Sequence, residues 1–253
     1  MNWRRILLTI AIGLILGAVV VSGIKSHSGT VNLTIKQLTQ SKLDYAISAT
    51  VYVEAHGNRE QMEYYYGYDR GSRLWSGSGV NVAADGLILT AGHVVGEDYE
   101  NVEYFRIVLN DGTEYISTTS FKSDTDDCAY IDIDPNEALP YLEFSDYDEQ
   151  RVGDYIYVIG SPFGYELFNS VTKGIISGFS RDIPFFGEKG LLQVDAAANG
   201  GNSGGPVINE DGDIIGILIG GYVGADGIGL CTPSNVCEAL LKIYDATLEY
   251  MSI

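Results

Sequence analysis

Short apolar or alternating runs recur along most of the chain, and turns rich in Gly, Asp and Asn separate them. Runs of this length and spacing are typical of short antiparallel strands. A polar stretch over 134–150 divides the runs into two sets of six. We therefore predict an all-β fold of two packed six-stranded antiparallel β-barrels, about 46–135 and about 150–232, which this stretch bridges. The predicted strands are 46–54, 78–83, 86–91, 103–110, 113–120 and 128–133, then 154–160, 171–178, 191–196, 205–208, 213–219 and 228–232.

A helical pattern follows the last predicted strand. Pro233 and Ser234 are typical of a helix N-terminus, and the apolar residues that follow them in the sequence repeat with the period of an α-helix. The pattern predicts a C-terminal helix over about 233–249, which completes a folded domain over 46–250. The apolar stripe consists of Val236, Leu240, Leu241, Tyr244 and Leu248.

The amino terminus has a different character. The run Ile6–Ile24 is uncharged and largely apolar, and Arg4 and Arg5 precede it. At about 1.5 Å per residue, a helix of this length crosses a hydrocarbon core of about 30 Å, and the two arginines favour a cytoplasmic amino end. We predict a signal anchor, an N-terminal transmembrane helix, over 1–25 and a juxtamembrane linker over 26–45. The folded domain is then attached to the cell membrane on its extracytoplasmic side.

The alternative for this terminus is a cleaved signal peptide. Val21-Ser22-Gly23 offers the small residues of a cleavage site, and the domain would then be secreted. The apolar run is longer than the usual signal-peptide core of about 7–15 residues, which favours the uncleaved anchor.

The segment Gly201-Asn202-Ser203-Gly204-Gly205-Pro206 is the most informative chemical signal. A glycine-dense turn leaves its serine uncrowded and leaves backbone N–H groups without partners from secondary structure. A serine hydroxyl beside such donors supplies the nucleophile and the anion-stabilising groups that acyl transfer requires. The sequence therefore predicts Ser203 as a catalytic nucleophile.

A catalytic serine needs a base, and the chain has three histidines, His27, His56 and His93. His93 follows an apolar strand in a turn of small residues, whereas the other two lie in polar segments. The Gly-x-Ser-x-Gly spacing also fits α/β-hydrolases, but that fold takes its histidine from after the serine. No histidine follows Ser203, so His93 is the candidate base.

The third group of such a site is a carboxylate that orients the base. Asp127 alternates with Ala129 and Ile131, which places its side chain on the inward face of a predicted strand. An inward carboxylate needs a partner, and a histidine N–H is a suitable one. Asp126 is the second candidate, but it lies on the opposite face. The subtilisin order, with the aspartate first, would require many more helices than the pattern predicts.

The order His93, Asp127, Ser203 is that of chymotrypsin-type serine proteases, and the surrounding sequence resembles the HtrA/Deg branch of that family. The resemblance covers roughly residues 46–245. HtrA proteins usually carry PDZ domains after the protease, and we expect none before Ile253. The matching segments are Gly77–Val80, Asp85–Val95, Asp127–Ile131, Val152–Asp154, Ile159–Gly164, Val171–Gly178, Gln193–Asn199 and Gly227–Ser234.

The resemblance implies a serine endopeptidase that cleaves polypeptide substrates in protein quality control or regulatory proteolysis, and it makes a homotrimer a reasonable expectation. It assigns the oxyanion hole to the backbone N–H groups of Gly201 and Ser203. Digestive relatives have an aspartate before the serine, which pairs with an amino terminus released by cleavage. This chain has Asn202 there, so we expect activation without cleavage.

The resemblance also indicates the substrate pocket. Ala197 occupies the position at the base of the pocket in trypsin-like relatives, and without a carboxylate there we expect small to medium aliphatic residues before the cut. Asp226 is an alternative source of preference for Arg or Lys. The expected pocket residues are Ala197, Leu218, Ile219, Gly220, Gly227 and Gly229.

Two other functions use the same fold or the same residues. A protease-like domain whose active site is inactive at rest can act as a chaperone or regulatory binder, and an esterase would use the same triad.

The net charge of −19 repels nucleic acid, so we expect no nucleic-acid partner. No motif for a metal or a cofactor is evident, and we expect neither. Three cysteines, Cys128, Cys231 and Cys237, are predicted to be small buried hydrophobic residues.

Overall fold

The computed structural model describes residues 38–57, 73–96, 102–183, 188–222 and 224–251. The predicted anchor over 1–25 and most of the predicted linker over 26–45 lie outside the described residues. Within the described ranges, no helix is long and apolar enough to cross a membrane.

The described residues form mostly antiparallel β-structure, with an α-helix before the first strand and another after the last. The elements are α1 (Gln40–Ala49), β1 (Thr50–His56), β2 (Arg73–Asn81), β3 (Leu87–Thr90), α2 (Gly92–Val95), β4 (Tyr104–Val108), β5 (Glu114–Ser117), β6 (Ser120–Lys122), β7 (Ala129–Asp132), β8 (Tyr155–Gly160), β9 (Ser170–Ile183), β10 (Glu188–Val194), β11 (Pro206–Ile208), β12 (Ile214–Gly221), β13 (Gly229–Pro233) and α3 (Ser234–Met251).

The first seven strands form one sheet in the order β5-β4-β1-β2-β3-β7-β6, and its edge strands β5 and β6 do not pair with each other. The prediction of a closed six-stranded first barrel is therefore wrong. The predicted strand over 113–120 is two strands, because the Ser117 hydroxyl donates to the carbonyls of Asp132 (2.5 Å) and Thr119 (3.2 Å) where the chain turns. β5 then pairs with β4, and β6 pairs with β7. The result is a half-barrel sheet.

The chain enters this sheet through α1, a helix that the alternating pattern did not predict. The predicted strand over 46–54 begins only at Thr50. Thr39 caps the helix by accepting the N–H of Lys42 at 3.4 Å. Ala46 and Ala49 are buried on the face that packs against the sheet. This burial stabilises the helix and outweighs the preference of the local sequence for a strand.

The second barrel is closed, with six strands in the order β10-β13-β12-β11-β8-β9. The prediction of a six-stranded second barrel is confirmed, and each of its predicted strands overlaps an observed one. The largest difference is β9, which continues past the predicted end at residue 178 to Ile183 and pairs with β8 and β10 in turn.

Three strands of the second barrel are buried on both faces. In β8, Ile156 and Val158 lie in the core inside the second barrel, whereas Tyr157 and Ile159 belong to the core shared with the first sheet. The strands β11 and β12 follow the same alternation. A strand with two buried faces reads as a continuous apolar run, which is why these segments lack polar positions. In the shared core, β11 and β12 contribute Ile208, Ile214, Ile217 and Ile219.

The predicted C-terminal helix is confirmed as α3. Cys237, Leu240 and Tyr244 of this helix join the shared core, and the Tyr130 hydroxyl donates to the carbonyl of Cys237 at 2.7 Å. The three cysteines are free and buried, as the sequence predicted.

A buried carboxylate cross-links strands of the first sheet. Glu54 in β1 is only 7% exposed. It accepts hydrogen bonds from Arg106 (2.9 Å) and Arg73 (3.2 Å) and lies 3.1 Å from the ring of His56. Burial raises the pKa of Glu54, but the hydrogen bonds from His56, Arg106 and Arg73 outweigh it and hold the pKa below its ordinary value.

Replacing Glu54 by Gln is expected to lower the free energy of unfolding at pH 7 by about 1–3 kcal/mol, because the arginines lose a charged acceptor. The folded pKa lies below the unfolded value of about 4.3, so this contribution is complete above that pH and is lost as the pH falls through the folded pKa. Urea unfolding at pH 7 and pH 3 measures the difference. The exposed Glu143→Gln is the control, and an equal loss for Glu54→Gln at both pH values would contradict the assignment.

Candidate active site

His93 and Asp127 meet beyond the end of β3. The short helix α2 begins at Gly92 and holds His93 in its single turn. Asp127 Oδ1 accepts the backbone N–H of His93 at 2.8 Å, and Asp127 Oδ2 lies 2.6 Å from His93 Nδ1. A carboxylate that binds both the backbone and the ring fixes the orientation of the imidazole, and with the proton on Nδ1 it makes Nε2 the acceptor.

Asp127 reaches this position from a turn rather than from a strand. The sequence placed it on a strand with Ala129, but β7 begins only at Ala129. Asp126, the second candidate, accepts hydrogen bonds from the hydroxyls of Ser123 (3.2 Å) and Thr125 (2.7 Å) within the same turn. The local hydrogen bonds of Asp126 therefore stabilise the turn that directs Asp127 at the histidine.

The sequence analysis missed a hydrogen bond that supports Asp127 from the second barrel. Thr232 in β13 donates its hydroxyl to the backbone carbonyl of Asp127 at 2.9 Å, and Thr232 is buried. The bond joins residues 105 positions apart in the chain. A pattern of local spacing carries no signal for such a contact.

The serine turn lies between the two β-units. The carbonyl of Ser203 accepts the backbone N–H of Ser78 in β2 at 2.7 Å, and Gly204 N–H donates to the carbonyl of Leu218 in β12 at 2.7 Å. A Cβ on Gly204 would overlap the Ser78 carbonyl oxygen and the hydroxyl of Thr90, the last residue of β3. The turn is therefore held against the strand that leads to His93.

The Ser203 hydroxyl donates to the carbonyl of Ile219 at 3.4 Å, a long hydrogen bond. A serine nucleophile and its base are expected to be hydrogen-bonded, but among the described residues no hydrogen bond joins Ser203 and His93. A serine hydroxyl changes partner by rotation about χ1, and catalytic hydrogen bonds are often long in the absence of substrate.

The N–H groups of Gly201 and Ser203 have no acceptor among the described residues, whereas the N–H of Asn202 between them donates to the carbonyl of Asn199 at 3.0 Å. Gly201 has a positive φ of 97°, a conformation that suits glycine. Two unpaired N–H groups beside a serine hydroxyl are the arrangement that stabilises an oxyanion.

A cavity of about 470 Å³ opens beside Ser203. Of the six pocket residues expected from the sequence, Ala197, Gly220 and Gly227 line it. Leu218 and Ile219 instead direct buried side chains into the two cores, and the buried Gly229 pairs with Val194 in the strand ladder.

The remaining lining residues come from two segments, 195–203 and 220–228. Asp226 lines the cavity, as does Asp195, which the sequence analysis did not include. The Asp195 carboxylate accepts the backbone N–H of Ile175 at 2.6 Å and is therefore already partly satisfied. The others are Ala198, Asn199, Gly200, Gly221, Tyr222, Ala225 and Ile228.

Replacing Gly204 by Ala is expected to destabilise the fold by more than about 3 kcal/mol, because it combines a φ of +84° with overlap of two atoms of the first sheet. Gly153→Ala is the matched control, since Gly153 has a φ of +97° and no neighbour within 4 Å of an added Cβ. Chemical denaturation measures both variants. Equal losses would show that backbone strain alone accounts for the effect and that the contact with the first sheet contributes nothing.

Comparison with known proteins gives the same picture of the domain. The family model of the trypsin-like peptidase domain matches residues 77–217. A probable periplasmic serine endoprotease DegP-like from Rickettsia prowazekii is 41% identical over 172 residues, which is 66% of this chain and 33% of the relative. The DegP-like protein of Rhizobium meliloti is 38% identical over 178 residues, 68% of this chain and 34% of the relative.

The similarity extends to a human protein. Serine protease HTRA4 is 38% identical over 181 residues, which is 69% of this chain and 36% of the relative. The chain spans about a third of the length of these curated relatives. With the family match, the closed second barrel and the site between the two β-units, the chain belongs to the trypsin-like peptidase family, as an HtrA-like member with the chymotrypsin-type fold.

Proposed function

We propose that this chain is a serine endopeptidase that cleaves polypeptide substrates through an acyl-enzyme, with His93, Asp127 and Ser203 as its triad. The observation that carries the proposal is the Asp127 carboxylate, which binds both the backbone N–H and the ring of His93 next to the serine turn. The relatives support the reaction class, since their names describe serine proteases.

In the first step, the Ser203 hydroxyl turns from the Ile219 carbonyl toward His93 and attacks the substrate carbonyl carbon. His93 Nε2 takes the hydroxyl proton, and the Asp127 carboxylate stabilises the imidazolium through Nδ1. His93 then gives the proton to the leaving amine, which departs and leaves the acyl group on Ser203. Water attacks the ester with His93 again as the base, and His93 returns the proton to Ser203 Oγ as the carboxylic acid product leaves.

The N–H groups of Gly201 and Ser203 are the proposed oxyanion donors in both steps. They are unpaired in the described part of the chain, so binding an oxyanion breaks no existing hydrogen bond. Donors that are oriented before the reaction stabilise the charge that develops in the transition state, and the loss of one costs about 10²–10³ in rate.

The proposal includes an extracytoplasmic location. The relatives from Rickettsia prowazekii and Rhizobium meliloti are named periplasmic, and the apolar run Ile6–Ile24 provides an export signal that doubles as a membrane anchor. Protein quality control or regulatory proteolysis is the corresponding role. Nucleic acid is not a proposed partner, and the homotrimer stays a prediction.

A second candidate function has one observation in its favour. The Ser203 hydroxyl points at Ile219 rather than at His93, which is the arrangement expected of a domain that rests inactive and binds unfolded chains without cleaving them. The labelling experiment below separates the two functions, because a resting binder does not react with an active-serine probe.

The full chain is expected to react with a fluorophosphonate probe, and Ser203→Ala and His93→Ala are expected to abolish the reaction. Asp127→Asn is expected to slow it by about 10⁴, because the amide favours the wrong tautomer of His93. Asp126→Asn is the matched control. It changes the adjacent carboxylate, whose side-chain hydrogen bonds in the described ranges come from the hydroxyls of Ser123 and Thr125. Asparagine keeps one oxygen that accepts these bonds, so the variant is expected to keep the rate within about threefold. No labelling of the folded wild-type chain would reject the peptidase and favour the binder.

Peptide-library cleavage is expected to show small to medium aliphatic residues before the cut. Ala197 and Gly220 are uncharged lining residues, and the Asp195 carboxylate already accepts the Ile175 N–H. Asp226 is the one described carboxylate of the cavity for which no such bond is seen, so Asp226→Asn tests the alternative. We expect this variant to keep the aliphatic preference with kcat/KM within about threefold. A strong preference for Arg or Lys that Asp226→Asn removes would overturn the prediction.

A further inference from the structure

The serine turn is held by hydrogen bonds to the carbonyl groups of residues 200–203. The Gly200 carbonyl accepts the N–H of Phe163 at 2.7 Å, and the Asn202 carbonyl accepts the N–H of Gly205 at 2.9 Å. The carbonyl of a trans peptide and the following N–H point in opposite directions. These two bonds therefore orient the N–H groups of Gly201 and Ser203, the proposed oxyanion donors.

The peptide group that joins Gly201 to Asn202 lies between the two donor peptides, and a side chain holds it. The Ser78 hydroxyl donates to the carbonyl of Gly201 at 2.8 Å, and among the described residues no other side chain hydrogen-bonds to a carbonyl of the turn 200–204. The same hydroxyl accepts the N–H of Ser161 at 2.9 Å, in the segment that precedes Phe163. One hydroxyl thus connects the middle of the turn to the segment that holds its beginning.

Ser78 belongs to the other β-unit. It lies in β2 with a fully buried side chain, and its backbone N–H donates to the Ser203 carbonyl at 2.7 Å. Its own carbonyl accepts the hydroxyl of Thr90, three residues before His93, at 2.7 Å. Every polar group of Ser78 is therefore used to connect the strand that leads to the base with the turn that carries the nucleophile.

We infer that Ser78 is a positioning residue of the proposed peptidase, whose hydroxyl holds the peptide between the two oxyanion donors in place relative to His93. The inference rests on the proposed function of the site and goes beyond the triad. Ser78 is fully buried, and among the described residues it makes no hydrogen bond to His93 or Asp127, so it acts through the Gly201 carbonyl. Its removal is expected to affect the transition state, which the donors bind, more than the bound substrate.

The test compares Ser78→Ala with Ser117→Ala in the full chain. Ser117 is a matched control, because its buried hydroxyl also accepts one backbone N–H, from Thr119 at 3.1 Å, and donates to a backbone carbonyl, that of Asp132. It lies in the same sheet and belongs to no part of the serine turn. Both variants are expected to melt at a lower temperature than the wild type.

Only Ser78→Ala is expected to lower kcat, by about 10–100-fold, which is less than the loss of a whole oxyanion donor. KM is expected to change less than about threefold, and a peptide aldehyde, whose adduct with Ser203 carries an oxyanion, is expected to bind more weakly by about the same factor as kcat falls. The pH profile of kcat/KM is expected to keep its shape, since the base and its carboxylate are untouched. Unchanged kcat in Ser78→Ala, with activity abolished in Ser203→Ala, would overturn the inference and leave the proposed function intact.

Amide hydrogen exchange gives a readout that does not depend on turnover. A peptide covering residues 199–205 is expected to exchange faster in Ser78→Ala than in the wild type, and to be unchanged in Ser117→Ala. If the wild-type chain showed no activity that depends on Ser203, the proposed function would fail, and faster exchange would still support Ser78 as the residue that holds the turn. Unchanged exchange in Ser78→Ala would overturn that role.

Discussion

The contact on which the site depends is the backbone hydrogen bond between Ser78 and Ser203. It joins the sheet that supplies His93 and Asp127 to the barrel that supplies Ser203. Proton transfer from Ser203 to His93 requires the donor and acceptor atoms about 2.6–3.2 Å apart, so the relative position of the two units has to be fixed to a fraction of an ångström. There is no room for a side chain where β2 approaches the serine turn. A Cβ on Gly77 would lie 2.8 Å from the Ser203 carbonyl oxygen, so glycine at this position permits the contact.

Hydrophobic burial supplies the free energy that keeps this contact closed. Strands β8, β11 and β12 are apolar on both faces, and Ile159, Ile208 and Ile217 are fully buried in the core shared with the first sheet. Each such side chain contributes about 1.5–3 kcal/mol on burial, whereas a hydrogen bond contributes a net of about 1 kcal/mol. Burial alone is non-directional. The packing therefore holds the units together, and the polar contacts around Ser78 determine their register.

The sequence was most informative where local pattern and final structure agree. The second barrel was predictable strand by strand, because each strand is bounded by a turn signal and apolar on its inner face. The residues of the proposed triad could be selected from the sequence, because the chain has three histidines and a glycine-dense turn around Ser203. The break between β5 and β6 was hidden, since the β-branched and aromatic residues of 115–121 continue through it.

The missed contacts share a physical cause, which is that they join residues distant in sequence. The hydrogen bonds of Ser78 to Gly201 and of Thr232 to Asp127 span 123 and 105 positions, and each donor reads locally as an ordinary strand hydroxyl. Leu218 and Ile219 were expected to line the pocket and do not, for a related reason. In a strand buried on both faces, spacing does not show whether Leu218 or Ile219 faces a cavity, and here the backbone, not either side chain, borders the site.

Asn202 decides how the serine turn is stabilised. It is 3% exposed, and its Oδ1 is buried against Gly160 with no hydrogen-bond partner among the described residues. A carboxylate in this position would bury a charge and require a cation, such as the released amino terminus in digestive relatives. A neutral amide leaves only one unpaired acceptor, at a cost of about 1–3 kcal/mol. The turn therefore needs no such cation, but the unpaired acceptor weakens it. Its ordered state depends on the neutral hydrogen bonds from Ser78, Phe163 and Gly205, and thus on how firmly the two β-units pack.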